Sequence, residues 1–213
     1  MIRAPVPGAP SVVLFGVVRG LLSEARALPA ALDTLQPAVV GLGVSVEEAR
    51  GLTDHFVGHS TEPLVPLLGS EAVEIRELGR FGEVRVPNPS FLAALEWAAA
   101  RGVRAEAVDP AEEQYAEMFG STVGYLELVR RTLRERRLRE SPPRVDDPDQ
   151  FVLQWDASLN RGRESQRLEA RREQLVAREL GRIALQGAPV AVVLDRERVP
   201  RLLNAFTAPG RGA

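Results

Sequence analysis

Short apolar runs rich in valine recur along the chain, each followed by a stretch with helical spacing, and this alternation limits the fold more than any other feature. Ser11 to Val18 (SVVLFGVV) is too short for an average helix and shows no polar alternation, as expected of a strand covered on both faces of a parallel sheet. Leu21 to Leu35 then places Leu22, Ala25, Leu28 and Leu32 on one helical face, and Pro37 marks its end. Ala38 to Val44 (AVVGLGV) repeats the strand signature and Glu47 to Phe56 the helical one, which makes a βαβα opening.

The pattern between Pro63 and Gly82 is broken by Pro63, Pro66, Gly69, Gly79 and Gly82, so short helices and loops are expected there, without a site. Asn88-Pro89-Ser90 followed by Phe91, Leu92, Leu95 and Trp97 predicts a capped helix ending near Gly102, with a third strand over Val103 to Val108. Residues Ala111 to Glu140 carry helical periodicity, with a break expected at Gly120 to Gly124. Ser141 to Asp149 (SPPRVDDPD) is the best linker, since adjacent prolines and three aspartates resist helix. A second long helix is expected over about Gln150 to Gln186, then a last strand at Pro189 to Leu194 and a closing helix at Val199 to Phe206. The sum is one α/β domain over residues 1–213, a parallel central sheet covered by helices, with a helical insertion at 111–187 before the last strand.

Composition removes chemistries. The 213 residues hold no cysteine and no lysine, so thiolate sites, disulfides, Schiff-base lysines and a P-loop lysine are impossible, and all 27 basic side chains are arginine. Against 29 acidic residues they leave a net charge of -2, which provides no basic field for nucleic acid. No apolar run approaches the roughly 20 residues of a membrane span, and Met1 to Pro10 has no signal-peptide pattern. A cytoplasmic protein, bound to neither membrane nor nucleic acid and without a cofactor, is the expectation.

Ligands in open α/β sheets gather beyond the carboxyl ends of the strands, where Arg19, Ser45, Asp109, Asp195 and Arg198 all fall. The order of motifs around them resembles the TraB/PrgY family, of the superfamily that includes Tiki-type proteases, erythromycin esterase-like proteins and ChaN-type proteins. Leu14-Phe15-Gly16-Val17-Val18-Arg19 is similar to the family's Gly-x-x-His strand end, with arginine at the histidine position. Pro37 to Val44 resembles its Pro-Asp-x-Val strand leading to Glu-Leu, with Gly43 about where the glutamate stands. Ala98 to Gly102 and Val103 to Asp109 resemble its helix-strand pattern, Glu169 to Ala177 its Glu-Arg-Asn/Asp helix, and Asp195 to Arg201 its second Gly-x-x-His motif, again with arginine for histidine.

On this resemblance the family's metal-binding histidines and glutamate correspond to Arg19, Arg198 and Gly43. A guanidinium stays protonated and only donates, so it repels a divalent cation. Two readings follow for these arginines. Either Arg19 and Arg198 replace the metal with fixed positive charge and form a pocket for a small anion, a carboxylate or phosphate, with Asp109 and Asp195 orienting them, or each simply pairs with those acids. An independent metal alternative is His55 and His59, whose i, i+4 spacing puts two imidazoles on one helical face, although histidines near a helix C-terminus also suit its dipole.

Weaker signals have plainer accounts. Gly41-Leu42-Gly43 lacks the third glycine of a dinucleotide loop, because Val46 stands there. Arg130 to Arg139 is interrupted by Glu135 and carries no aromatic residue, and Glu112, Glu113 and Glu117 fit a helix start. Two function classes remain: a TraB-like binding or interaction protein without the metal site, possible as a homodimer through Tyr115, Met118, Phe119 and Tyr125, and a hydrolase with a site rebuilt around arginines and acids. The second calls for a carboxyl of raised pKa in a pocket beside Arg19 and Arg198.

Overall fold

The computed structural model describes residues 1–56, 58, 70–185 and 187–207. Strand β1 (Ile2–Val6) runs antiparallel to β2 (Ala9–Val17), and β2 pairs in parallel with β5 (Val190–Asp195), which pairs in parallel with β3 (Val39–Leu42), itself parallel to β4 (Arg104–Ala107). The order across the sheet is β1-β2-β5-β3-β4. The four parallel strands fall where strands are expected, three of them in valine-rich runs and β4 within Val103 to Val108. Strand β1 is an addition, hidden in the sequence by Pro5 and Pro7, and Gly8 at φ 78° makes the turn that folds it back on β2.

Both faces of the sheet are covered, which explains why β2 and β5 are apolar at successive positions. Val13, Phe15, Val17, Val40, Leu42 and Val193 face helices α1 (Leu22–Leu35), α2 (Val46–Phe56) and α4 (Pro89–Arg101) through Leu28, Leu32, Leu52, Phe91 and Trp97. Val12, Leu14, Val190, Val192 and Leu194 face α8 (Arg163–Ala184) and α9 (Val199–Thr207) through Val176, Leu180, Ile183 and Leu202. Asn88 caps α4 as expected, its side chain accepting from the Ser90 N–H, and Gly102 ends the helix in the left-handed conformation.

Between β4 and β5 the chain forms α5 (Glu112–Thr122), α6 (Tyr125–Glu140), α7 (Pro148–Leu159) and α8. The break before α6 falls at Val123 and Gly124. The single helix expected over 150–186 is instead α7 and α8, parted at Asn160 to Gly162. At the parting the carboxylate of Glu127 fills the space where a Cβ on Gly162 would stand, so any side chain there would make Glu127 move. Ahead of this block, Ser70–Leu78 forms α3, in the segment for which short helices are expected. Leu78, Leu138, Phe151 and Trp155 join α3, α6 and α7 into a second small core. Tyr115, Met118 and Phe119 pack with Val123 and Leu168 inside the molecule, so of the four residues offered for a dimer only Tyr125 stands exposed, at 78%. Among the described residues no helix is long and apolar enough to cross a membrane.

Candidate functional site

Because β2, β3, β4 and β5 are parallel, their carboxyl ends lie along one edge of the sheet. Arg19 follows β2, Gly43 follows β3, Asp109 follows β4, and Asp195 closes β5 beside Val17. A 3-10 turn, Arg196–Arg198, leads from β5 into α9 and delivers Arg198 to the same edge. Gly16 makes this turn possible, since a Cβ there would meet Val199 Cγ2 at 2.6 Å and Arg196 Cδ at 3.3 Å.

The four predicted site residues form two separate pairs. Arg198 donates to both oxygens of Asp109, at 2.7 and 2.6 Å, to both oxygens of Glu173, at 2.8 and 3.2 Å, and to the Gly43 carbonyl at 3.0 Å. A guanidinium has five N–H groups, and all five are engaged, so Arg198, 2% exposed, has none left for an anion. Burial works against its charge, yet Glu173 and Asp109 outweigh that and hold its pKa well above the ordinary value. Burial likewise works against ionised Asp109, and Arg198 with Arg172 reverses it and lowers the carboxyl pKa. Arg172 reaches Asp109 Oδ2 at 2.5 Å and lies over the Tyr115 ring. Asp109 thus sits between two guanidinium groups.

Arg19 belongs to the other pair. It donates to Asp195 Oδ2 at 2.7 Å and to Glu71 of α3 at 3.1 Å, and the attraction of Asp195 raises its pKa well above the usual value. Both arginines are thus paired with acids in the structure.

Three further carboxyl groups gather near Arg19. Burial raises Glu74 to about 7, with Asp195 adding to it and Arg19 opposing it. Burial, then Asp195 and Glu74, raise Glu197 to about 8. Asp156 of α7 takes an ion pair from Arg201 and accepts from the Asn160 amide at 2.9 Å. These residues line a cavity of about 310 Å³ that also touches Arg19, Arg172 and Asp195, and a neighbouring hollow of about 270 Å³ at Ser45, Glu48 and Asp109 shares Tyr115 and Arg172 with it. Both lie in the size range of small-molecule sites or just below it. Burial also raises the pKa of Glu48 beside the second hollow.

The positions that the TraB resemblance assigns to a metal do not fit one. Arg198 is spent on protein acceptors, Arg19 is a cation, and a Cβ at Gly43 would stand 2.7 Å from Leu194 Cβ, so a glutamate there would displace β5. Of the alternative pair, His55 lies in the last turn of α2 and His59 falls outside the described residues. Among the described residues no group of three or more His, Asp or Glu is disposed to hold a metal ion.

Sequence reasoning misses Glu169, Arg172 and Glu173 as site residues, although the two glutamates carry a usable signal: they share the buried stripe of α8 with Leu168, Val176 and Leu180, where charge is unexpected without a partner. Glu71 and Glu74 lie in the segment read as carrying no site, and nothing in the local pattern singles out Glu197. The sequence matches no protein-family model and no curated protein.

Proposed function

We propose that this chain is a TraB-like α/β protein without that family's metal site, a binding protein that holds a small polar ligand in the cleft beyond the carboxyl ends of its strands. The observation that carries the reading is the full engagement of Arg198. A fixed internal cation, neutralised by Asp109 and Glu173, stands where the resemblance places a metal ligand, and an open polar cavity lies beside it. Ion pairs satisfied within the protein give the cavity a fixed wall, which the ligand need not organise. The absence of cysteine accords with a reducing, cytoplasmic setting. The exposed face of α6, with Tyr125, Leu126 and Leu133, would serve a homodimer.

Metal analysis after dialysis against Mn2+, Co2+ and Zn2+ tests the reading. No retained metal is expected, and one ion held per chain would overturn it.

A hydrolase with a rebuilt site is the second reading, favoured by one observation: Glu74 and Glu197 are held at about 7 and 8 beside Arg19. A carboxyl still protonated near neutrality suits a general acid, and Asp195 beside it would be the base. Turnover of 4-nitrophenyl acetate or 4-nitrophenyl phosphate that disappears in Glu197→Gln would favour this reading over simple binding.

A further inference from the structure

The two edges of the sheet are finished differently. At one, β1 carries Pro5 and a bulge between Pro5 and Val6, two devices that keep a further strand from adding. At the other, β4 has the sequence RAEA, without proline, and pairs with β3 in unbroken register. Ala105 stands exposed there. The space beside β4 is open on both faces of the sheet: a hollow of about 420 Å³ touches Ala105, Ala107 and Val46 of α2, and another of about 420 Å³ touches Ala107, Val108 and Leu175 of α8.

Pairing with β3 fixes which backbone groups of β4 look outward. Val108 donates its N–H to the Leu42 carbonyl, and successive residues of a strand bond to opposite sides. Arg104 and Glu106 therefore bond towards β3, while Ala105 and Ala107 turn their N–H and C=O groups away from the sheet. Val103 gives its N–H to the Ala98 carbonyl at 2.9 Å, which leaves only its C=O to the outer edge. The side chains of Arg104 and Glu106 share the face towards α8, where they pair at 2.6 Å and Glu106 also meets Arg182. Charged side chains normally guard an edge, but these two have opposite signs and stand two positions apart.

We propose that β4 is a contact between two copies of this chain, joined antiparallel about a two-fold axis at Ala105, so that two sheets become one. Charge decides both the occupant and the register. An outward residue can oppose only another outward residue, so the axis falls at Ala105, at Glu106 or at Ala107. At Glu106 the acid opposes its own copy, which is destabilising. At Ala107 the acid opposes Val108, and Ala105 opposes Asp109, whose N–H is spent on the Val44 carbonyl. At Ala105 the residue Arg104 opposes Glu106 of the second copy, and the reverse pair forms by symmetry. The order Arg-Ala-Glu is thus its own complement when reversed, as an isologous contact requires. In this register Ala105 exchanges both N–H and C=O bonds with its counterpart, and each Ala107 N–H donates to the Val103 carbonyl of the second copy.

The contact is independent of the ligand cleft and of the α6 face, and its test tells them apart. The full-length protein is sedimented across a concentration series. Ala105→Pro removes an outward N–H and leaves the bonds to β3 alone, so it is expected to halve the sedimenting mass with an unchanged circular dichroism spectrum. Arg104→Glu and Glu106→Arg each set like charges opposite one another and should do the same, while an equimolar mixture of the two variants should restore the mass, since each then meets its opposite. Should Ala105→Pro fold poorly, the mixture carries the test. A wild-type protein that sediments as a single chain at every concentration would overturn the proposal, as would failure of the mixture to restore the mass. A dimer kept by Ala105→Pro and by both charge variants, but lost in Leu133→Glu, would overturn the β4 contact and keep the one at α6.

Discussion

Two clusters of charge occupy the same edge of the sheet and are built on opposite terms. Around Arg198 every donor is spent, the carboxylates of Asp109 and Glu173 are matched in geometry, and nothing is left for a visitor. Around Asp195, one guanidinium serves two carboxylates, Glu74 and Glu197 sit near neutrality, and an oxygen is buried without a hydrogen bond. Charge pairing thus differs between the two places. The first cluster ties the ends of β3 and β4 to α8 and to the turn before α9, and the second lines the cavity proposed as the ligand site.

The largest effect should come from breaking the closed cluster. Arg198→Met keeps much of the side-chain volume, leaves Glu173 buried without its cation and Asp109 with Arg172 alone, and should cost about 3–5 kcal/mol in urea unfolding; a loss below about 1 kcal/mol would mean the pair is hydrated and not closed. The same change should alter the acid behaviour of Asp109. Its lowered pKa contributes stability that is present above the unfolded value and is lost as pH falls through the folded value. Arg198→Met should weaken that acid-side dependence, Arg172 keeping part of it.

Next in size is Gly43→Ala, which brings a methyl group to 2.7 Å from Leu194 Cβ and should cost about 1–3 kcal/mol through overpacking of β3 against β5. A neutral effect there would reopen the question of a side chain at this position.

The open cluster should respond with the opposite sign. Glu74 and Glu197 have raised pKa values in the folded protein, so the folded state binds more protons than the unfolded one. Their contribution to stability is fully present below about pH 4 and lost as pH rises through about 7 and 8. Glu197→Gln should therefore be close to neutral at pH 5 and stabilise by on the order of 1 kcal/mol at pH 9, measured by denaturant melts across that range. Smallest of all, Arg136→Ala removes an exposed pair with Glu140 on α6 and should leave the denaturation midpoint unchanged.

How far the sequence reveals this arrangement depends on where each signal resides. A strand buried on both faces announces itself in a run such as SVVLFGVV, and Asn88 and Gly102 bracket α4 by their own local chemistry. Strand β1 does not, because Pro5 and Pro7 read as punctuation while the strand lies at the sheet edge, where proline is tolerated. Nor does local pattern show that the carboxylate of Glu127, distant in sequence, fills the space beside Gly162 where α7 and α8 part. Arg19, Asp109, Asp195 and Arg198 are legible as strand-end residues, but their pairing is not: Arg19 meets Asp195 across 176 positions and Arg198 meets Asp109 across 89. Nor does local pattern tell a guanidinium with every donor engaged from one with a donor to spare, and on that distinction the choice between anion pocket and closed pair turns.

The contrast between the two clusters is measured most directly by carbon NMR titration of the glutamate and aspartate side-chain carboxyls. Two glutamate resonances, assigned through Glu74→Gln and Glu197→Gln, should titrate near 7 and 8, while Asp109 titrates below the usual aspartate value. If Glu74 and Glu197 instead titrate near 4.5 with the exposed carboxyls, the cluster at Asp195 is as compensated as the one at Arg198, and the account of an open site fails.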